Sequence, residues 1–188
     1  MRIPAAFLCL ALGATAVHAD PADKDVIDGF RTNDFMRMWP DEVDGLRQSS
    51  KQSDPSEHVT TAEYKAADGS AKALGRVYGW PTASPEPVKP GDEDVMNIVF
   101  VGVEELVEKQ QKKPVESYSI TSKGGTELSC REGEQKPGTR YVFCAVPIKG
   151  RVFEVQHISL SRDRSPEELH AATERFVGDL TDALVDAK

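Results

Sequence analysis

The run from Thr126 to Leu160 restricts the fold of this chain more than any other stretch. It reads TELSCRE, then GEQKPG, then TRYVFCAVPI, then Lys149-Gly150, then RVFEVQHISL. β-Branched and aromatic residues favour strands in the three longer segments, and turn residues separate them, so the spacing predicts an antiparallel meander. The first two strands carry Cys130 and Cys144. Setting these two opposite each other centres the turn on Pro137, places Leu128 against Val146, and places Glu132 against Val142. A disulfide in that register cross-links neighbouring strands. Closing a loop of about 15 residues stabilises by roughly 3 kcal/mol in the chain-entropy view. Redox-active pairs sit close together at a helix N-terminus, as in C-x-x-C, and this pair does not.

Residues 1–19 read as a secretory leader. Arg2 is the positive start, Ile3 to Val17 the apolar run, and Val17-His18-Ala19 the cleavage box. The run falls short of the roughly 18 to 20 residues that span a bilayer. A lipid anchor on Cys9 would cut the run in its middle. Cleavage removes Cys9 and leaves two cysteines, an even count that in an exported chain favours a disulfide. The expectation is a periplasmic or secreted protein with no stable membrane insertion after cleavage. A formal charge of −8 without a basic cluster argues against nucleic acid as a partner.

Residues 20–39 form a charged lead-in. Val26, Ile27 and Phe30 have helical spacing that Phe35, Met36 and Trp39 continue, or the segment lies extended across the sheet. From residue 40 to 188 the pattern is that of a single α+β domain. HVTTAEYKA and AKALGRVYGW flank Asp68-Gly69, a hairpin signal. In the second run Ala73, Gly75, Val77 and Gly79 share one face, and Leu74, Arg76, Tyr78 and Trp80 the other. The small face admits a closely packed helix, or else marks an edge strand weakened by glycine. Residues 81–91, with four prolines, read as a stiff loop within the domain.

Val95 to Val103 is nearly all apolar and suits a buried strand, yet the charges around it favour a helix over 92–113. Asp92, Glu93 and Asp94 lead, Lys109, Lys112 and Lys113 close, and Met96, Phe100, Val103 and Val107 form one stripe. Lys123-Gly124-Gly125 marks another hairpin. In the last strand Phe153 and Val155 share a face while Ile158 and Leu160 fall on the opposite one, which implies a bulge near Gln156-His157 or burial on both sides. Ser165-Pro166-Glu167-Glu168 is a capping box opening a helix whose stripe is Leu169, Ala172, Phe176, Leu180 and Leu184. The total is an antiparallel sheet of about six to seven strands packed with two main helices.

Reactive chemistry is sparse. His58, His157 and His170 remain after cleavage, and none has metal-ligand spacing with another. No nucleophile motif, nucleotide cradle or free thiol follows from the sequence, so no catalytic, cofactor or metal residues are assigned. His157 stands out among the histidines, against the plainer reading of a partly buried strand residue. Arg131 beside Glu132, and Arg140 beside Tyr141, could line a groove, although exposed charged and aromatic side chains are ordinary on a hairpin.

Pro40, Val43, Gly45 and Leu46 in WPDEVDGLRQ, followed by Val77 and Tyr78 in ALGRVYGW, resemble a group of exported bacterial proteins. The order of elements is similar to the Mog1/PsbP-like sandwich, an antiparallel sheet between helices. That resemblance implies an interaction role, since the superfamily consists mostly of binding and assembly modules. The leading expectation is therefore an exported module that binds a protein or small ligand. The alternatives are a secreted hydrolase using dispersed carboxylates or His157, and an exported inhibitor or immunity-like protein. A pocket holding His157 within reach of a carboxylate and a hydroxyl would favour the hydrolase.

Overall fold

The computed structural model describes residues 25–82, 84–110, 115–136, 138–160 and 164–187, with only the backbone described at 102–110 and 135–136. The expected leader at 1–19 lies outside them. In chain order the elements are α1 (Thr32–Met38), β1 (Glu42–Val43), β2 (Leu46–Asp54), β3 (Val59–Ala66), β4 (Ala71–Tyr78), α2 (Glu93–Gln110), β5 (Glu116–Thr121), β6 (Glu127–Lys136), β7 (Thr139–Ile148), β8 (Arg151–Leu160) and α3 (Pro166–Asp186). One eight-stranded antiparallel sheet results, ordered β1-β2-β3-β4-β8-β7-β6-β5. It consists of two meanders, each running inward from its own edge, that meet where β4 pairs with β8.

Eight strands and three helices exceed the expected six to seven and two. The surplus is β1, β2 and α1. LRQSSKQSD buries only Leu46 fully, so its edge position leaves no alternating apolar signal. The lead-in helix starts at Thr32, not at Val26, because Asp28 and Gly29 take consecutive left-handed conformations (φ 51° and 81°) and turn Ile27 back onto Phe30.

α1 and α3 pack on one face of the sheet, α2 on the other. On the α3 face, Phe35, Trp39, Tyr64, Phe153, Phe176 and Leu180 form the main core. Gly75 is essential to it: a Cβ there would lie 2.7 and 2.9 Å from the Trp39 ring. The small face of β4 thus receives an indole from the end of α1, backed by Leu180 of α3, and β4 is interior rather than an edge. On the α2 face, Val99 and Phe100 meet Tyr141, Phe143 and Val152, and Phe100 packs edge-on to Phe143 with centroids 5.6 Å apart. In the Pro-rich loop Val88 is buried and bridges to Gly150.

The starts of α2 and α3 both follow their sequence signals, while the expected close of α2 at Lys112 and Lys113 lies outside the described residues. Asp92 accepts from the Val95 N–H at 3.4 Å. Ser165 and Glu168 exchange the two bonds of a capping box, at 3.2 and 2.8 Å. β8 pairs with both neighbours without a register shift, so its change of phase reflects burial on both sides rather than a bulge.

Cys130 and Cys144 are joined, with sulfurs 2.08 Å apart, in the expected register that also sets Glu132 against Val142. The β6–β7 ladder ends at Ser129 and Ala145, one position short of the expected Leu128–Val146 pair. Alternation makes Glu127 and Pro147 the next hydrogen-bonded pair, and proline has no N–H to give. The hydrogen-bonded ladder stops short of that pair. At the far end a register shift between Glu134 and Lys136 brings Lys136 opposite Thr139; Pro137, the expected turn centre, lies outside the described residues.

Candidate functional site

His157 faces α3 from the middle of β8 and is 3% exposed. Its Nδ1 lies 3.1 Å from Thr173 Oγ1. That hydroxyl donates to the Leu169 carbonyl at 2.9 Å and accepts from Arg140 Nη1 at 3.0 Å. With its one proton already given to the helix, Thr173 leaves His157 to donate from Nδ1, as a neutral ring. Burial, then the charges of Arg140 and Arg164, push the imidazole down to about 4. No carboxylate among the described residues hydrogen-bonds to His157, so the arrangement favouring a hydrolase is incomplete.

Strand alternation separates the four residues that the sequence offers as groove candidates. Arg131 and Tyr141 point to the α2 face, Glu132 and Arg140 to the α3 face. Arg140 forms a two-pronged ion pair with Glu132 and donates to His170 Nδ1 at 2.7 Å. Burial works against its charge, but Glu132 outweighs it and the guanidinium is held more firmly protonated. His170 in turn meets Glu174 at 3.2 Å and stacks near Tyr118. This is a closed network tying α3 to β6 and β7.

A second cluster, missed in the sequence, fixes the lead-in. Arg151 is 0% exposed. It donates to the carbonyls of His58, Asp25 and Phe30 at 3.0, 2.9 and 3.3 Å, and lies 3.5 Å from the Asp25 carboxylate. Asp25 also holds the Thr32 hydroxyl and backbone N–H and sits 3.2 Å from His58 Nδ1. The hydroxyl binds the carboxylate rather than the imidazole, so no nucleophile–base relay forms. Counting back by twos from His157, Val155 and Phe153 puts Arg151 on the core face, the one signal that could have found it.

On the α2 face Glu154 is 8% exposed. Burial raises its pKa, opposed by Arg76, 3.6 Å away, and the Tyr78 hydroxyl. Burial pushes Tyr141 up to about 12.

Beside this end of the β6–β7 ladder lies a cleft of about 760 Å3, under the first turns of α2. Met96 and Phe100 from α2, with Pro147 and Val185, supply apolar walls; Asn97, Ser129 and Arg131 supply polar ones. Arg131 lies over Phe100, with its guanidinium carbon 4.3 Å from the ring centroid, and donates to the Cys130 carbonyl at 3.1 Å. Just outside, Ile98 and Val101 on the outer side of α2 are 55% and 54% exposed. Among the described residues no three His, Cys, Asp or Glu side chains gather as metal ligands, and no helix is long and apolar enough to cross a membrane. The sequence matches no protein-family model, and no curated protein aligns with it significantly.

Proposed function

We propose that this chain is an exported periplasmic interaction or ligand-binding module without catalytic activity, and that its ligand or partner segment enters the cleft beside α2. The observation that carries the reading is a contrast in how side chains are employed. His157, Thr173, Arg140, Glu132 and Asp25 are bound up in contacts that hold elements together. The cleft, in contrast, combines apolar walls with hydrogen-bonding groups in a volume suited to a small molecule or a short peptide. The resemblance to Mog1/PsbP-like modules supports a binding role. The disulfide suits an oxidising compartment, in agreement with the leader.

The test is a pull-down from periplasmic extract, with bound small molecules identified by mass spectrometry. The bait is the mature chain, compared with Asn97→Lys and Ser129→Lys, two exposed cleft positions. A protein or compound recovered with the wild type should fall at least about tenfold with both variants, equal to roughly 1.4 kcal/mol of binding. Undiminished recovery with both would remove the cleft from the proposal.

A further inference from the structure

The sheet has two unlike edges. On one side β1 is two residues long, and β2 carries a register shift between Gln48 and Ser50 followed by Lys51. Short strands, bulges and lysines are the usual means of blocking edge-to-edge pairing. β5 on the other side has none of them. It reads ESYSIT and pairs with β6 along all its residues without a shift. Among the described residues no strand pairs with its outer side.

The direction of its backbone groups follows from the hairpin. Ser122 N–H donates to the Thr126 carbonyl at 2.9 Å. Alternation then turns Ile120, Tyr118 and Glu116 towards β6, and directs the N–H and C=O groups of Ser117, Ser119 and Thr121 outward. We infer that this edge pairs with the same edge of a second copy, antiparallel about Ser119, to form a dimer with one continuous sheet.

In that register Ser119 meets Ser119 of the second copy, and Ser117 meets its Thr121, so every outward group of the three residues gains a partner. The same register keeps the faces matched. Tyr118 stands opposite Ile120 of the second copy on the α3 face, and hydroxyl residues stand opposite each other on the α2 face. Both kinds of cross-strand pair are favourable. Glu116 falls opposite Ser122 of the second copy, so no like charges oppose. This inference is independent of the cleft, which Ser119 does not line.

Sedimentation equilibrium of the mature, disulfide-bonded chain at physiological ionic strength tests it, across a wide concentration series. The wild type should reach the mass of two chains. Ser119→Pro removes the central outward N–H, and Ser119→Lys sets two like charges against each other; each should return the mass to one chain. Ser119 is exposed, so the lysine variant keeps its fold if proline does not. Gln52→Lys on the opposite edge should leave the dimer intact. A wild type that stays monomeric, including one whose edge is reserved for an extended segment of another protein, overturns the inference. So does a dimer that survives Ser119→Lys.

Discussion

The two faces of the sheet arise from the same strands, yet they are sealed to different degrees. The α3 face is closed by two helices and an indole pressed onto Gly75. The α2 face is covered by one helix over β6 and β7 and by the proline loop at Val88. Each face holds a buried titrating side chain, and desolvation moves the two in opposite directions. His157 becomes a weaker base behind α3; Glu154 becomes a weaker acid on the α2 face. His157 is bonded to a core threonine, whereas Glu154 pairs with Arg76, whose side chain is 41% exposed. One face is closed by packing, and the other keeps an open cleft beside its helix.

The widest separation between the faces should appear in core truncations. Phe176 is fully buried between Tyr64 and His157, with ring centroids 5.7 and 5.3 Å away. Phe176→Ala should cost about 4 kcal/mol, because the surrounding strands and helix cannot close over the cavity. Phe100→Ala should cost about half as much, because α2 rests on two strands at the side of an open cleft and can settle into the space. Urea unfolding of the two variants measures both. Equal costs, or the reverse order, would dissolve the distinction between the faces.

The legible parts of this fold were those with a local signal. The capping box at Ser165, the acidic start of α2, the Asp68-Gly69 turn and the cysteine register each follow from neighbouring residues. What stayed hidden depended on partners far along the chain. Arg151 was given no role in the sequence, and the backbone carbonyls of Asp25, Phe30 and His58 account for its burial. β2 is polar along most of its length because it lies near an edge. The cleft was invisible for another reason: its walls come from α2, β6, β7 and Val185, which only the tertiary fold brings together. The candidate groove of Arg131, Glu132, Arg140 and Tyr141 ignored that adjacent strand residues point to opposite faces.

An intermediate effect should come from acid. The His157 pKa falls from 6.5 in the unfolded chain to about 4 in the fold. Between those values the unfolded chain holds a proton that the native ring lacks, so stability declines as pH drops through that window and levels off below it. The loss is roughly 3 kcal/mol. Glu154, raised in the fold, contributes with the opposite sign, losing stability as pH rises through its own folded pKa. His157→Gln isolates the first contribution. Its unfolding free energy should depend less steeply on pH between 4 and 6.5 than that of the wild type. An unchanged slope would mean that the α3 face does not exclude the charged ring.

The smallest effect should lie on the outer side of α2. Ile98 and Val101 contribute little to the fold because more than half of each stays in water. Replacing both with serine should shift stability by no more than about 0.5 kcal/mol, within the usual range for surface substitutions. Val99 sits between them in sequence but is buried against the sheet. Val99→Ser should cost about 2 kcal/mol, since it removes apolar burial and sets a polar group against the apolar cluster under α2. The comparison therefore sharpens within a single helical turn: a negligible change outside and a clear one inside mark α2 as a helix with one face still available for contact. A loss above about 1 kcal/mol in the double variant would show instead that the outer residues are already covered.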